Sequence, residues 1–152
     1  MEIDSVAVHG LLARYGRLID QRRAEEWSEL FVADGCLEIP ERDLVEGRAA
    51  LTEFAANSPE GTHLTGIPDL SRGADRVLAS SSWIFVARGQ QEIRTGFYHD
   101  EILPPAESGG DMLFVRRSIV FLPVRSESDV PGARRVSVYK GRSAPTKVPG
   151  RL

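Results

Sequence analysis

The sequence contains a single cysteine, Cys36, among its 152 residues. One thiol excludes an internal disulfide and any cysteine-rich metal site, and the apolar stretch around Cys36 predicts a buried structural thiol. No apolar run approaches the length that crosses a membrane, and the N-terminus lacks the basic-then-apolar pattern of a signal peptide. We therefore expect a cytoplasmic protein without membrane contact.

Excess positive charge is lacking as well. The formal net charge is −3, which gives no electrostatic basis for binding nucleic acid. The sequence has no Ser-His-Asp signature, phosphate-binding loop or dinucleotide fingerprint. The tight ligand spacing of common metal sites is missing too, so we expect neither a metal nor another cofactor.

What is present is typical of one globular domain. The chain is 41% apolar and 27% charged, and its length suffices to bury a hydrophobic core. We expect a single domain over residues 1–140. The proline-containing residues 141–152 predict an extended or disordered tail.

The apolar pattern changes from helical to strand-like along the chain. Apolar residues at spacings of three and four predict a first helix from near Ser5 to near Asp20. Two further helices are expected over about 24–31 and 48–57. Short strands are expected at 36–39 and 44–47, and longer ones over about 62–71, 76–87, 92–103 and 112–124. This order indicates an α+β fold, with an antiparallel meander curling around the first helix and leaving a pocket.

Histidine is scarce, which makes two of the three histidines informative. His63 and His99 lie in predicted strands, and imidazoles that share a cavity can transfer protons near neutral pH. Assigning Arg94 to solvent turns His99 towards the core, because alternate strand residues share a face. A bulge at Gly96 would instead turn Tyr98 and Asp100 into the pocket.

Other candidates belong to the predicted helix and the last long strand. Tyr15 lies on the apolar stripe of the helix and Asp20 at its end, so both could join the histidines, although Tyr15 could equally be core and Asp20 solvated. Arg117 shares parity with apolar residues, and an inward arginine needs a carboxylate from the protein or from a ligand. We therefore take Arg117 as a candidate substrate-binding residue. The apolar candidates for the pocket lining are Trp27, Phe54, Trp83, Phe97 and Phe114.

Several motifs resemble the opening of SnoaL-like proteins, members of the nuclear-transport-factor-two-like superfamily. They are Arg14-Tyr15-Gly16-Arg17-Leu18-Ile19-Asp20, Glu26-Trp27-Ser28-Glu29-Leu30-Phe31, Asp34-Gly35, Val45-Glu46-Gly47-Arg48 and Thr62-His63-Leu64-Thr65-Gly66. The resemblance covers about residues 5–124. It implies a cone of three N-terminal helices packed in a strongly curved antiparallel sheet, with a deep central pocket.

Within that superfamily the motifs are most similar to scytalone dehydratase and the bile-acid dehydratases. This likeness implies catalytic roles for Tyr15 and Asp20 on the first helix and for His63 and His99 on the sheet. One departure is that Gly66-Ile67 stand where an asparagine usually follows the first histidine motif. The spacing from Asp20 to Trp27 also resembles the non-catalytic β subunits of aromatic-ring dioxygenases.

The expected function is acid–base chemistry without a cofactor. The candidate reactions are dehydration, isomerisation and cyclisation of a small hydroxylated carbonyl compound of polyketide, steroid or terpenoid type, by a homodimer or homotrimer. The alternative is a non-catalytic β-subunit-like or ligand-binding module of a dioxygenase-type system. A third possibility, epoxide opening, needs a second carboxylate in the pocket, which Asp100 supplies only in the shifted strand register.

Overall fold

The computed structural model describes residues 2–89, 92–106 and 109–123. The described residues form three helices and one sheet of seven strands. The helices are α1 (Ser5–Asp20), α2 (Ala24–Ser28) and α3 (Arg48–Ala56). The strands are β1 (Phe31–Glu38), β2 (Val45–Glu46), β3 (Gly61–Thr65), β4 (Asp69–Arg72), β5 (Val77–Ala87), β6 (Ile93–Leu103) and β7 (Leu113–Phe121). The expected tail over 141–152 and the end of the expected domain up to residue 140 lie outside the described residues.

The sheet is curved and open, with strand order β2-β1-β7-β6-β5-β3, and β4 also pairs with β5. Neighbours are antiparallel with one exception, because β1 pairs with β7 in parallel. The expectation of a wholly antiparallel sheet is therefore wrong at this pair. In addition, β1 and β2 precede α3, so the helices do not form one block before the sheet. The coarser α+β prediction is confirmed.

Helix α1 forms where the apolar stripe predicts it. Its N-terminus is capped by Asp4, whose carboxylate accepts a hydrogen bond from the Ala7 N–H at 3.0 Å. The stripe is buried against the sheet, and the helix packs closely on β3 at Gly16, where a Cβ would lie in van der Waals contact, 3.4 Å from the Cβ of His63. This close approach brings the end of α1 to β3. No helix in the described ranges is long and apolar enough to cross a membrane.

Helix α2 is shorter than its pattern predicts. It ends at Ser28, and Phe31, which we assigned to the helix, begins β1 instead. The register of β1 on β7 shifts between Phe31 and Cys36, so Asp34-Gly35 lies in an irregular part of a strand and does not end a helix. Phe31 and Trp27 are both buried. Their spacing of four residues fits one face of a helix and one face of a strand alike, so over so short a run the apolar pattern does not locate the end of α2.

Candidate active site

A cavity of about 520 Å³ opens on the concave face of the sheet. The sheet contributes His63, Phe85 and Tyr98, and α1 contributes Tyr15. Helix α3 and the segment before it form the opposite wall, which includes Phe54. Aromatic walls interrupted by a few polar groups are typical of sites for small organic molecules.

His63, which lines the cavity, is paired with Asp20. One oxygen of Asp20 lies 2.6 Å from Nδ1 of His63, and the other accepts a hydrogen bond from the His63 backbone N–H at 2.8 Å. Both side chains are largely buried, with 16% of His63 and 19% of Asp20 exposed. The carboxylate thus contacts both the ring and the backbone N–H of His63, and these two contacts fix the orientation of the imidazole.

This contact determines which ring nitrogen is available for chemistry. An ionised Asp20 accepts the Nδ1 proton, so neutral His63 carries its lone pair on Nε2. Nε2 makes no hydrogen bond to any described residue and is not among the buried polar atoms. The ring also packs against Phe85, with 4.6 Å between ring centroids, on the wall of the cavity. A histidine held in this way can accept and return a proton at Nε2.

Asp20 does not line this cavity directly. It borders a second cavity of about 690 Å³ on the far side of His63, whose walls include His9, Arg17 and Ile67. His63 is common to both cavities. Asp20 therefore influences the aromatic cavity through the imidazole and contacts no ligand there.

Tyr15 also lines the cavity, and it is 2% exposed. Burial raises the pKa of its hydroxyl to about 12, although Arg117 opposes part of this shift. Burial likewise raises the pKa of Tyr98 well above its ordinary value. Both side chains are consequently neutral phenols near pH 7, which suits them to donate hydrogen bonds and not to act as bases.

Strand β6 faces the opposite way from the prediction made for His99. His99 is exposed on the outer face of the sheet, where its Nδ1 lies 3.0 Å from the Ser80 hydroxyl. The inward residues are Tyr98 and Asp100, and both are buried. The prediction depended on assigning Arg94 to solvent, and that assignment is wrong because Arg94 lines the cavity. No bulge at Gly96 is involved, since β5 pairs with β6 in continuous register.

Arg94 is the polar residue that the sequence analysis missed. In the sheet register His63 pairs with Phe85, and Phe85 pairs with Arg94, so the three form one row across β3, β5 and β6. All three line the cavity. A usable signal was present in the sequence: an inward Arg117 needs a carboxylate, and Asp100 on the neighbouring strand supplies it only if Arg94 faces inward too.

Arg117 is fully buried, as its strand parity predicts, and its partner is the protein's own carboxylate. Its Nε and Nη2 each donate to Asp100 at 2.7 Å. The guanidinium lies between the rings of Tyr15, Tyr98 and Phe114, with 3.9 to 4.3 Å from its carbon to the ring centroids. Arg117 does not line the cavity, so the geometry does not support direct substrate binding by this residue.

The apolar lining candidates divide into three groups. Phe54 and Trp83 line the cavity as expected. Trp27 and Phe114 are fully buried in the core behind it, where Trp27 packs on Tyr15 at 5.1 Å. Phe97 is wrong as a lining residue, because it shares the outward face of β6 and is 40% exposed.

Metal-ligating side chains do not cluster in the part of the chain that the structure describes. There is no group of three or more His, Cys, Asp or Glu residues that could hold an ion. Cys36 is half-buried on β1, and burial raises the pKa of its thiol. The polar chemistry of the cavity wall therefore comes from imidazole, phenol, guanidinium and carboxylate groups.

Comparison with known proteins agrees with this architecture. An NTF2-like protein with a cystatin-like fold from Novosphingobium aromaticivorans is 23% identical with a TM-score of 0.69, over 81% of this chain and 84% of that one. A protein of the same bacterium, provisionally named a scytalone dehydratase, is 18% identical with a TM-score of 0.63, over 77% and 83% of the two chains. The β subunit of an aromatic-ring-hydroxylating dioxygenase, also assigned provisionally there, is 21% identical with a TM-score of 0.64, over 80% and 90%.

At such identities the solved structures show a shared fold and nothing about activity. The chain has no significant match among curated proteins. The family model described as a SnoaL-like domain matches residues 3–104, which is more than half of the chain. This match confirms the resemblance inferred from the sequence motifs. The chain belongs to the SnoaL-like domain family.

Proposed function

We propose that the chain is an acid–base enzyme that acts without a cofactor on a small hydroxylated carbonyl compound bound in the aromatic cavity. The observation that carries the proposal is the 2.6 Å contact of Asp20 with His63 Nδ1, which leaves Nε2 as the unpaired basic atom of an imidazole that lines the cavity. The reaction class is dehydration, isomerisation or cyclisation, and the substrate skeleton is of polyketide, steroid or terpenoid type.

One histidine is sufficient for both proton transfers of a dehydration. Nε2 of His63 takes the proton from the carbon next to the carbonyl; the C–H electron pair forms a C=C bond to the carbonyl carbon, and the C=O π pair moves to the oxygen to give an enolate. When the enolate collapses, the bond to the β-hydroxyl breaks, and the proton returned by His63 makes the leaving group water. Asp20 keeps the imidazole oriented and stabilises its protonated form between the two steps.

The neutral phenols support the same chemistry from the cavity floor. Tyr15 lines the cavity, and its raised pKa of about 12 keeps the hydroxyl protonated while charge develops on a neighbouring oxygen. A protonated donor on a buried side chain stabilises an enolate oxygen or a departing hydroxyl. Phe54, Phe85 and Trp83 provide apolar walls for a ring system.

The direct test measures proton abstraction independently of the later steps. Wild-type protein is incubated in D₂O with a panel of bicyclic β-hydroxyketones, and mass spectrometry follows deuterium uptake at the α carbon and loss of water. His63→Gln should abolish both signals. Asp20→Asn should reduce them about 100-fold, because it releases the imidazole from its fixed direction. His99→Gln is the matched control, since this strand histidine lies on the outer face and should leave the rates unchanged.

Equal rates in wild type and His63→Gln, with both proteins folded, would contradict the proposal. Deuterium uptake that depends on His99 would contradict it as well. So would wild-type protein that exchanges no ketone of the panel above the rate in buffer.

The second candidate is a non-catalytic subunit or ligand-binding module. It is favoured by the shared fold with the dioxygenase β subunit and by apolar side chains on the outer face of the sheet, where Ile84 and Val86 are each 42% exposed. Our first proposal instead expects a self-contained homodimer or homotrimer with its own substrate. The alternative would be supported if the solution mass is that of a monomer and if this monomer is unstable until a larger subunit is added.

A further inference from the structure

The inner face of the sheet carries a cation at a defined distance from the proposed base. Arg94 and His63 belong to one cross-strand row and are separated by Phe85 on β5. Two strand spacings of nearly 5 Å put their Cα atoms roughly 10 Å apart along the sheet. Because all three side chains line the same cavity, a single small molecule can contact both ends of the row.

The guanidinium of Arg94 has donors to spare. Its Nε donates to Glu92 at 2.7 Å, while neither Nη has a hydrogen-bond partner within the described ranges. The Arg94 and Glu92 side chains are 39% and 43% exposed, and ion pairs this exposed contribute little and exchange readily. Two Nη groups directed by one planar guanidinium match the two oxygens of a carboxylate.

The other charged residues of the cavity lining bear on the charge of the ligand. Besides Arg94 and His63, these are Arg42, Asp43 and Glu53. The lining thus combines two guanidinium groups with two carboxylates, so a ligand with several negative charges finds no excess of positive charge there, whereas a single carboxylate needs only one guanidinium. The aromatic ring of Phe85 lies between the two polar ends and offers an apolar surface to the ligand skeleton.

We propose that Arg94 binds a carboxylate of the substrate and thereby sets its position relative to His63. The substrate class is then a hydroxylated keto acid with an aromatic or alicyclic skeleton, whose carboxylate lies at the Arg94 end and whose reacting carbon lies at the His63 end. Only the placement of the reacting carbon at the His63 end rests on the proposed function. Recognition of the carboxylate by Arg94 requires no turnover.

The test uses two probes of equal shape, biphenyl-4-carboxylate and biphenyl-4-carboxamide, with binding measured by isothermal titration calorimetry at pH 7.5. Wild-type protein should bind the carboxylate about tenfold more tightly than the amide. Arg94→Gln should weaken carboxylate binding about tenfold and leave amide binding unchanged, and Arg94→Lys should give an intermediate value. The exposed Arg88→Gln outside the cavity is the control and should keep the preference, and Arg42→Gln tests the other arginine of the cavity lining.

Three outcomes would overturn the proposal: a carboxylate preference that persists in Arg94→Gln, one that is lost in Arg42→Gln instead, or wild-type protein that binds the carboxylate no better than the amide or not at all. The binding assay and the deuterium-exchange assay together separate this proposal from the catalytic one. If His63→Gln retains activity while Arg94→Gln loses the preference, the acid–base function fails and carboxylate recognition stands. If the preference is missing while His63→Gln abolishes exchange, only the substrate class fails.

Discussion

Replacing Asp100 by Asn removes the negative half of the buried ion pair and keeps the shape of the side chain. Both Asp100 and Arg117 have side chains that are 0% exposed, and they are joined by two hydrogen bonds of 2.7 Å. An uncompensated buried charge costs about 3–5 kcal/mol when its partner is removed. The three aromatic rings around the guanidinium remain, and a cation–π contact shielded from water contributes about 2 kcal/mol or more.

We therefore expect Asp100→Asn to lower the free energy of unfolding by an amount at the lower end of that range, about 3 kcal/mol. Urea unfolding followed by circular dichroism measures the loss, provided that the m-value stays constant. Glu38→Gln is the matched control. Its partner Arg116 is the neighbour of Arg117 on β7 but faces outwards, and the side chains of this pair are 46% and 37% exposed.

An exposed pair of this kind should cost less than about 1 kcal/mol when broken. The reasoning is refuted if Asp100→Asn loses no more stability than Glu38→Gln. That result would mean that the guanidinium is satisfied by its aromatic surroundings alone, or that water reaches it in the folded state. A large loss in both variants would show that exposure does not separate the two pairs.

Two further variants test the packing beside the cavity. Burial raises the Tyr15 pKa from 10.0 to about 12, so its contribution to stability is intact below pH 10 and is lost as the pH rises towards 12. Tyr15→Phe should therefore reduce the loss in unfolding free energy between pH 10 and 11 by about 1 kcal/mol in urea titrations. Equal losses in the two proteins would contradict this prediction. Gly96→Ala puts a Cβ against the Val120 backbone carbonyl and 2.8 Å from Trp83 Cζ2, so it should destabilise the protein by about 1–3 kcal/mol in the same urea titrations. Gly66→Ala, with 3.4 Å to its nearest neighbour, is the control and should not destabilise it. Unchanged stability of Gly96→Ala would show that β7 and the indole move aside without cost.

The sequence was sufficient for most elements because local pattern and tertiary contact agree there. Helix α1 has both a capping aspartate and a stripe of period 3.6, and the structure begins and ends it at Ser5 and Asp20. The parallel pairing of β1 with β7 could not be predicted, because periodicity reports which face of a strand is buried and carries no information on its neighbours. The boundary of α2 failed for a related reason, since a run of a few apolar residues fits either period.

The candidate site was predictable in part. Tyr15, His63, Phe54 and Trp83 line the cavity, and Asp20 reaches it by holding the His63 ring. The error over His99 came from treating a charged side chain as a marker of the outer face. At a cavity mouth an arginine can face inwards and keep part of its surface in water, as Arg94 does with 39% exposure. The catalytic roles of these residues stay predictions.

The inner face of β6 has a half-exposed charge at one end, Arg94, and a fully buried charge near the other, Asp100. We expect the buried charge to affect stability and the half-exposed charge to affect ligand binding. From Arg94 to Asp100 the strand runs about 20 Å, from a half-exposed guanidinium to a fully buried carboxylate. The deep charge is neutralised by Arg117, so it presents no net field to a ligand, whereas Arg94 acts on the ligand directly. Asp100→Asn should consequently lower stability while keeping the preference for biphenyl-4-carboxylate over its amide, and Arg94→Gln should do the reverse. Loss of that preference in folded Asp100→Asn protein would mean that the buried pair belongs to the binding site.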